Sequence, residues 1–357
     1  MILIKLEKRQ EASAKSNAII LVLSVLLALA IASLIFAAQG VDPISSYKEI
    51  FLSAFASSRG LAFTITKAIP LALCGIGLTL VFKANIWNIG AEGQLLLGSI
   101  TATWLALFAL RGYPSLVLIP LMFILGFMAG AAWAFIPAIL KAKLNVNEII
   151  VTLMLNYVAF KLVEYLIYGP WRGAREWGFP ITEEFPKSAW LPQIPGTQIH
   201  YPTLALALVS AALVYLLMSR TKIGFEAKVY GLNPDAARYA GINHLKVILI
   251  TMLISGGLAG LAGVGEVAGI HHRLRYPWSI SCGYGYAAII VAWLARLNPL
   301  AAIPVSIFLG GLFVGGYSIQ TSLNLPFSVV NMFNGLILST LVASEILFQY
   351  RIKLVKS

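Results

Sequence analysis

Apolar residues in this chain are gathered into long runs separated by short polar segments, and the runs are about twenty residues long, the length an α-helix needs to cross the hydrocarbon layer of a bilayer. Such runs lie at Asn17–Ala38, Leu61–Phe82, Ala91–Leu110, Ser115–Leu140, Glu148–Tyr168, Pro202–Met218, Val247–Ala268, Gly285–Ala295, Leu300–Ile319 and Phe327–Tyr350. They predict an all-α integral membrane protein of about ten transmembrane helices, a single transmembrane domain over 1–357. Gly285–Ala295 is too short to cross alone. It reaches the required length only if the preceding "YPWSISCGYGY" lies at membrane depth, as a broken or re-entrant segment whose backbone is satisfied by protein or by a wet cavity. Two polar interruptions exceed ordinary connectors, 169–201 and 219–246.

Composition agrees with the pattern: 59% of the 357 residues are hydrophobic and only 11% charged, with a mean hydropathy of +0.85. The formal charge of +12 comes from basic residues spread through short loops rather than gathered in one patch, which argues for topology and against nucleic-acid binding. Lys and Arg are denser on the side that carries the N-terminus. Both termini and 219–246 are therefore expected in the cytoplasm, and 169–201 outside, in a multi-pass protein of the cell membrane. The outer segment, rich in Pro and aromatic residues, reads as ordered rather than as a linker. Cys74 and Cys282 lie in apolar or Gly-rich segments, as small packing residues rather than a disulfide.

The inner interruption contains "GLNPDAARYAGI". Asn233 can cap a helix, Pro234 suits its first position, Asp235 its positive end, and Gly241 can stop it in a left-handed conformation. A helix of about two turns is marginal alone in water, so the protein's own surface or a partner must hold it. Together, "GFEAKVYGLNPDAARYAGI" and "NIWNIGAEGQLLLGS" (Asn85–Ser99) resemble the motifs of ABC importer permeases of the branched-chain amino acid, ribose and nucleoside class, and most of all the larger permease subunit of its nucleoside and simple-sugar group. The resemblance covers nearly the whole chain. It implies that Glu226, Asn233, Pro234, Asp235, Ala236, Arg238, Ala240 and Gly241 contact a separate ATPase. It also implies a second permease subunit, identical or not, and an extracellular solute-binding lipoprotein that delivers a nucleoside or simple sugar. The chain has no G-x-x-x-x-G-K-[ST] phosphate loop, so ATP is expected on the partner and no cofactor here. An ion-coupled secondary transporter of a small polar solute is the alternative, since broken helices suit both, but such a carrier needs no short capped inner helix.

Polar groups inside apolar spans are candidates for the solute path. Asn85, Asn88, Glu92 and Gln94 share a Gly-interrupted stretch that can offer hydrogen bonds to a polar solute or to itself, and Trp87 can stack on a base. Glu266 follows the small-residue run "SGGLAGLAGVG", which suits close helix packing, and either lines the path or bonds to a neighbouring helix. Lys161 and Glu164 are spaced for an ion pair within one helix, and Glu345 reads as structural. His271 and His272 diverge by about 100° on a helix and have no companion ligands, so they read as interfacial anchors and not as a metal site. No nucleophile–base constellation supports catalysis.

Overall fold

The computed structural model describes residues 2–8, 23, 26–27, 29–34, 36–174, 176, 178–322, 332, 335–336, 339–340 and 350–356. Contacts divide the chain into two compact units, Met1–Leu61 with Gly311–Ser357, and Ala62–Gly310. In the first, β1 (Ile2–Lys8) pairs antiparallel with β2 (Tyr350–Lys356), Ile2 opposite Lys356. The expected all-helical architecture holds for the body of the protein, and this short terminal pair lies outside it. "ILIKLEK" and "YRIKLVK" carry the two-residue alternation of strands rather than a helical period. The same unit holds α1 (Pro43–Phe51), opened by Asp42, whose carboxylate accepts from the Ser45 N–H at 2.9 Å.

The second unit contains most of the described helices: α2 (Ser58–Lys83), α3 (Ala91–Trp104), α4 (Ser115–Leu144), α5 (Glu148–Tyr168), α6 (Tyr201–Arg220), α7 (Lys222–Leu232), α8 (Pro234–Tyr239), α9 (His244–Glu266), α10 (Pro277–Ser281), α11 (Tyr284–Leu294) and α12 (Ala302–Ser322), of which α2 begins and α12 ends in the first unit. Six described helices are long and apolar enough to cross a bilayer, or up to seven if the bent pair Leu29–Ala38 and Pro43–Ala56 counts as one. The expected ten are not confirmed among the described residues. The run from Ala91 is α-helical only to Trp104 before a π-turn over Leu105–Ala109, and the run near Gly285 yields an 11-residue helix, as its shortness predicted. Most of Phe327–Tyr350, Glu345 among them, and residues 17–22 of the first run lie outside the described residues.

Close approach of three helices sets the centre of this unit. A Cβ added at Gly98 of α3 would lie 2.1 Å from Gly260 O, at Gly130 of α4 2.2 Å from Gly256 O, and at Gly263 of α9 1.9 Å from Leu95 O. Backbones that near can pack only where side chains are absent, which is the use of the small-residue run. Helix α9 is buried almost throughout, whereas α5 shows much of its surface.

The two ends of α9 meet different partners. Its first turns join Val81, Ala84, Ile86, Ala138 and Ala227 in one apolar cluster with Val247, Ile248 and Met252. Its last turn opens into a π-turn, Val267–His271, on which the 169–201 segment docks: the Leu191 N–H donates to Ala268 O at 3.0 Å and Gln193 Nε2 to Gly269 O at 2.6 Å. The two long interruptions therefore sit at opposite ends of a helix of 23 residues, about 35 Å at 1.5 Å per residue.

Candidate coupling helix and membrane polar sites

Over 219–246 the chain makes two helices where the sequence predicts one. Thr221 caps α7 by accepting from the Gly224 N–H at 3.2 Å, and a Cβ at Gly231 would lie 2.3 Å from Lys83 O, so α7 rests on the end of α2. Asn233 then caps α8 as its sequence suggests, Oδ1 accepting from the N–H groups of Asp235 and Ala236 at 2.9 and 3.0 Å. Pro234 takes the first position, and Gly241 stands beyond the end at φ +75°, where a side chain would be strained. Ala237 is buried against the protein, while Pro234, Asp235, Ala236, Arg238 and Ala240 are exposed and Tyr239 is 95% exposed. Glu226 faces inward on α7, its carboxylate 3.7 Å from Lys222. Phe225 and Leu232, both exposed on α7, extend the apolar surface beside α8 and were not anticipated.

The stretch from Asn85 to Gln94 descends from that end into the interior. Asn85 is exposed and turns the chain in a left-handed conformation, φ 53°. Trp87 joins Phe82 and Trp293 in an aromatic trio with ring centroids 5.3 to 5.8 Å apart. Asn88 and Gln94 bond reciprocally, 3.0 Å each way, and Asn88 also donates to Ser255 Oγ at 3.1 Å and accepts from the Gly90 N–H. Asn156 of α5 closes the ring: it accepts from the Gly93 N–H at 2.9 Å and donates to Ile89 O and Tyr286 Oη.

Here α3 and α11 meet end to end. Gly283 caps α11 at φ +75°, and a Cβ at Gly285 would lie 2.3 Å from the Glu92 backbone nitrogen. Glu92 is fully buried, and its Oε2 accepts from the Gly285 N–H at 2.7 Å. Its carboxyl group thus occupies the point where the positive ends of two half-helices converge.

A second polar cluster lies toward the other end of α9. Lys67 Nζ donates to Tyr284 Oη at 2.8 Å. Its 5.5 Å distance from the ring centroid is that of an ammonium beyond the hydroxyl edge, so no cation–π contact adds to the bond. Glu266, 1% exposed, approaches His271 Nε2 only to 3.8 Å. The adjacent imidazole of His272 instead stacks on Trp190, centroids 3.8 Å apart and planes within 7°. His272 is thus a packing group under the 169–201 segment.

The outer segment is ordered throughout its described part. Thr182 exchanges backbone and hydroxyl bonds with Leu274, and Phe185 N–H donates to His272 O at 2.8 Å. Arg273 reaches Glu176 at 2.8 Å and Glu184 at 3.3 Å, and Arg111 lies 3.8 Å from Glu183. These acidic side chains are therefore engaged within the chain. Arg175 lies outside the described residues. Lys161 and Glu164 form the expected pair at 2.7 Å.

Against this geometry, the profile of the family described as branched-chain amino acid transport system, permease component, matches residues 60–343. The chain belongs to this permease family. It is 37% identical to the glucose ABC transporter permease protein TsgB13 of Haloferax volcanii, over 93% of this chain and 88% of that one. It is 31% identical to the guanosine ABC transporter permease protein NupP of Bacillus subtilis, over 92% and 94%, and 31% identical to the nucleoside ABC transporter permease protein NupB of Lactococcus lactis, over 76% of each. The chain is accordingly a multi-pass membrane permease, a subunit of an ABC transporter and not itself an enzyme.

Two sets of residues escaped the sequence reading. Glu148, Thr152 and Asn156 form a buried polar stripe at intervals of four on α5, a legible signal: Thr152 Oγ1 accepts from Ile89 N–H at 3.3 Å, and Glu148 pairs with Lys141 at 3.0 Å. Lys67, a lysine inside an apolar span, was visible as an anomaly but had no evident partner, because Tyr284 lies 217 residues away.

Proposed function

We propose that this permease moves a nucleoside or simple sugar across the cell membrane, with solute delivered by an extracellular binding lipoprotein and energy from an ATPase docked on α8. Its path is formed with a second permease subunit. The observation that carries the coupling role is the exposure of α8: a six-residue helix with a complete Asn-Pro start and Gly stop, one alanine anchored and the others turned outward. So short a helix is marginal alone, and its preformed, small-residue outer face suits a cleft in a partner. Asn233, Pro234, Asp235, Ala236, Arg238, Ala240 and Gly241 form or frame that face, and Glu226, paired with Lys222 within α7, belongs to the same coupling segment. Cytoplasmic termini accord with the pairing of β1 with β2, which brings both ends of the chain to one place. ATP binds the partner.

On the path, Asn88, Gln94 and Glu92 hold the half-helix junction, Asn85 and Trp87 stand at its inner mouth, and Glu266 lies at the outer end. The names of the relatives, for glucose, guanosine and nucleosides, support a solute that carries a sugar ring. Replacing Ala236 and Ala240 together by Trp should abolish solute-stimulated ATP hydrolysis of the assembled transporter, with membrane insertion intact. Hydrolysis at the parent rate would end the coupling role of α8.

A further inference from the structure

Several buried polar atoms lack a partner among the described residues, Glu92 Oε1 and both His200 ring nitrogens included, but Glu266 Oε2 lies at the end of the bundle that also holds a lysine, and that chemistry points to what completes it. This inference rests on the reading of the solute as a nucleoside or sugar. Glu266 Oε2 is buried with no hydrogen-bond partner among the described residues. The 3.8 Å gap to His271 Nε2 is too long for a direct bond, yet an oxygen placed between them could lie within hydrogen-bond distance of both. A Cβ at Gly77 would lie 2.9 Å from Ser255 Cα, and beyond that crossing Val81 shares an apolar cluster with Val247 and Ile248, so α2 and α9 run antiparallel and Lys67 on α2 stands level with Glu266 and the adjoining His271 at the end of α9. Lys67 and His271 are only partly buried, so the cluster is not sealed.

Leaving a buried carboxylate oxygen unpaired costs about 1–3 kcal/mol or more. An anionic solute would be drawn by Lys67 but opposed by Glu266, and a cation the reverse. A neutral group that both donates and accepts satisfies the two at once, and a pair of neighbouring hydroxyls does so with one group to each. We propose that Lys67, Glu266 and His271 form a subsite for the vicinal hydroxyls of the solute's sugar ring, one hydroxyl donating to Glu266 Oε2 and its neighbour accepting from Lys67 Nζ. Tyr284 positions Lys67 by accepting from it at the start of α11.

The native Cys282 is the reporter. It is partly exposed and lies two residues before Tyr284, the partner of Lys67, whereas Cys74 is buried. In the full permease–ATPase complex in liposomes, alkylation of Cys282 by a small polar maleimide is followed with guanosine, with D-glucose, and with the 2′,3′- or 2,3-dideoxy analogue of whichever protects. The analogue should need about a hundredfold higher concentration for equal protection, because a site that bonds a hydroxyl rejects the compound lacking it. K67M and E266Q should each raise the half-protecting concentration of the parent solute by about tenfold to a hundredfold. Equal protection by the dideoxy analogue, measured on the unaltered protein, overturns the subsite and leaves Glu266 to ordered water. So does transport of guanosine or glucose without protection of Cys282. If neither solute is transported while the complex hydrolyses ATP for another, the nucleoside or sugar reading itself is lost and the subsite with it.

Discussion

Asn88 and Gln94 exchange hydrogen bonds at 3.0 Å in both directions, whereas Glu266 and His271 stop 3.8 Å apart. Both regions put carboxylates and amides deep in an apolar bundle, where each unpaired group is costly. In the first, the amides of Asn88, Gln94 and Asn156 and one oxygen of Glu92 find partners within the chain. In the second, Lys67 bonds Tyr284 while Glu266 Oε2 has no partner among the described residues. The difference teaches that a buried polar group is not by itself a sign of the solute path. The amide network of Asn88, Gln94 and Asn156, closed on itself, fixes the geometry of the broken helices, while a carboxylate with no bond to either neighbour, as at Glu266 Oε2, waits for a ligand.

The comparison breaks most visibly at the junction of α3 and α11. Gly285→Val would set a side chain against the backbone of Glu92, with its Cβ at 2.3 Å from nitrogen, where no rotamer change can relieve the overlap. The expected cost is about 4 kcal/mol or more, at the exceptional end of single substitutions. The protein should be lost from the monodisperse peak in detergent. If Gly285→Val survives with a parent-like melting temperature, the half-helices do not meet as described.

How much of this was legible in the sequence differs by element. Helix α5 begins and ends where the apolar run does, and α8 carries its cap and stop in five letters of local code. Local code needs no knowledge of the rest of the chain. The contacts that close the first network do: Asn88 meets Ser255 across 167 residues and Glu92 meets Gly285 across 193, separations that no spacing rule reaches. Hydropathy also fails to rank the helices, because α4 and α9 are similarly apolar although one faces mostly outward and the other is buried. Only the glycines of α9 hinted at its central place, and the terminal strands were hidden by the weight of the apolar runs that flank them.

A smaller effect sharpens the same contrast. Glu92→Leu leaves the Gly285 N–H buried without its acceptor and should destabilise the protein by about 2 kcal/mol, while Glu92→Gln keeps an oxygen for that bond and should cost less than about 1 kcal/mol. Thermal unfolding in detergent, followed by a thiol-reactive dye on the buried Cys74, reads the difference. Equal losses for the two variants would mean that the negative charge between the helix ends matters more than the hydrogen bond, which would move Glu92 from scaffold to electrostatic element.

The smallest effect is expected where a buried hydroxyl is satisfied by its own helix. Thr79 Oγ1 of α2 is fully buried and donates to Ile76 O at 2.7 Å, three residues back. The acceptor already serves the helix backbone, so removing the hydroxyl strips a second bond from an oxygen that keeps its first. Valine matches the shape of threonine, and its extra methyl replaces the hydroxyl in an apolar setting. Thr79→Val should therefore change stability by about 0.5 kcal/mol or less, in line with the modest worth of polar contacts inside membrane bundles. Set beside Glu92→Leu, it separates burial from connectivity, since both side chains are sealed from solvent and only one joins elements distant in the chain. A loss from Thr79→Val as large as that from Glu92→Leu would show that burial alone sets the cost, and the distinction between closed and open networks would no longer identify the solute site.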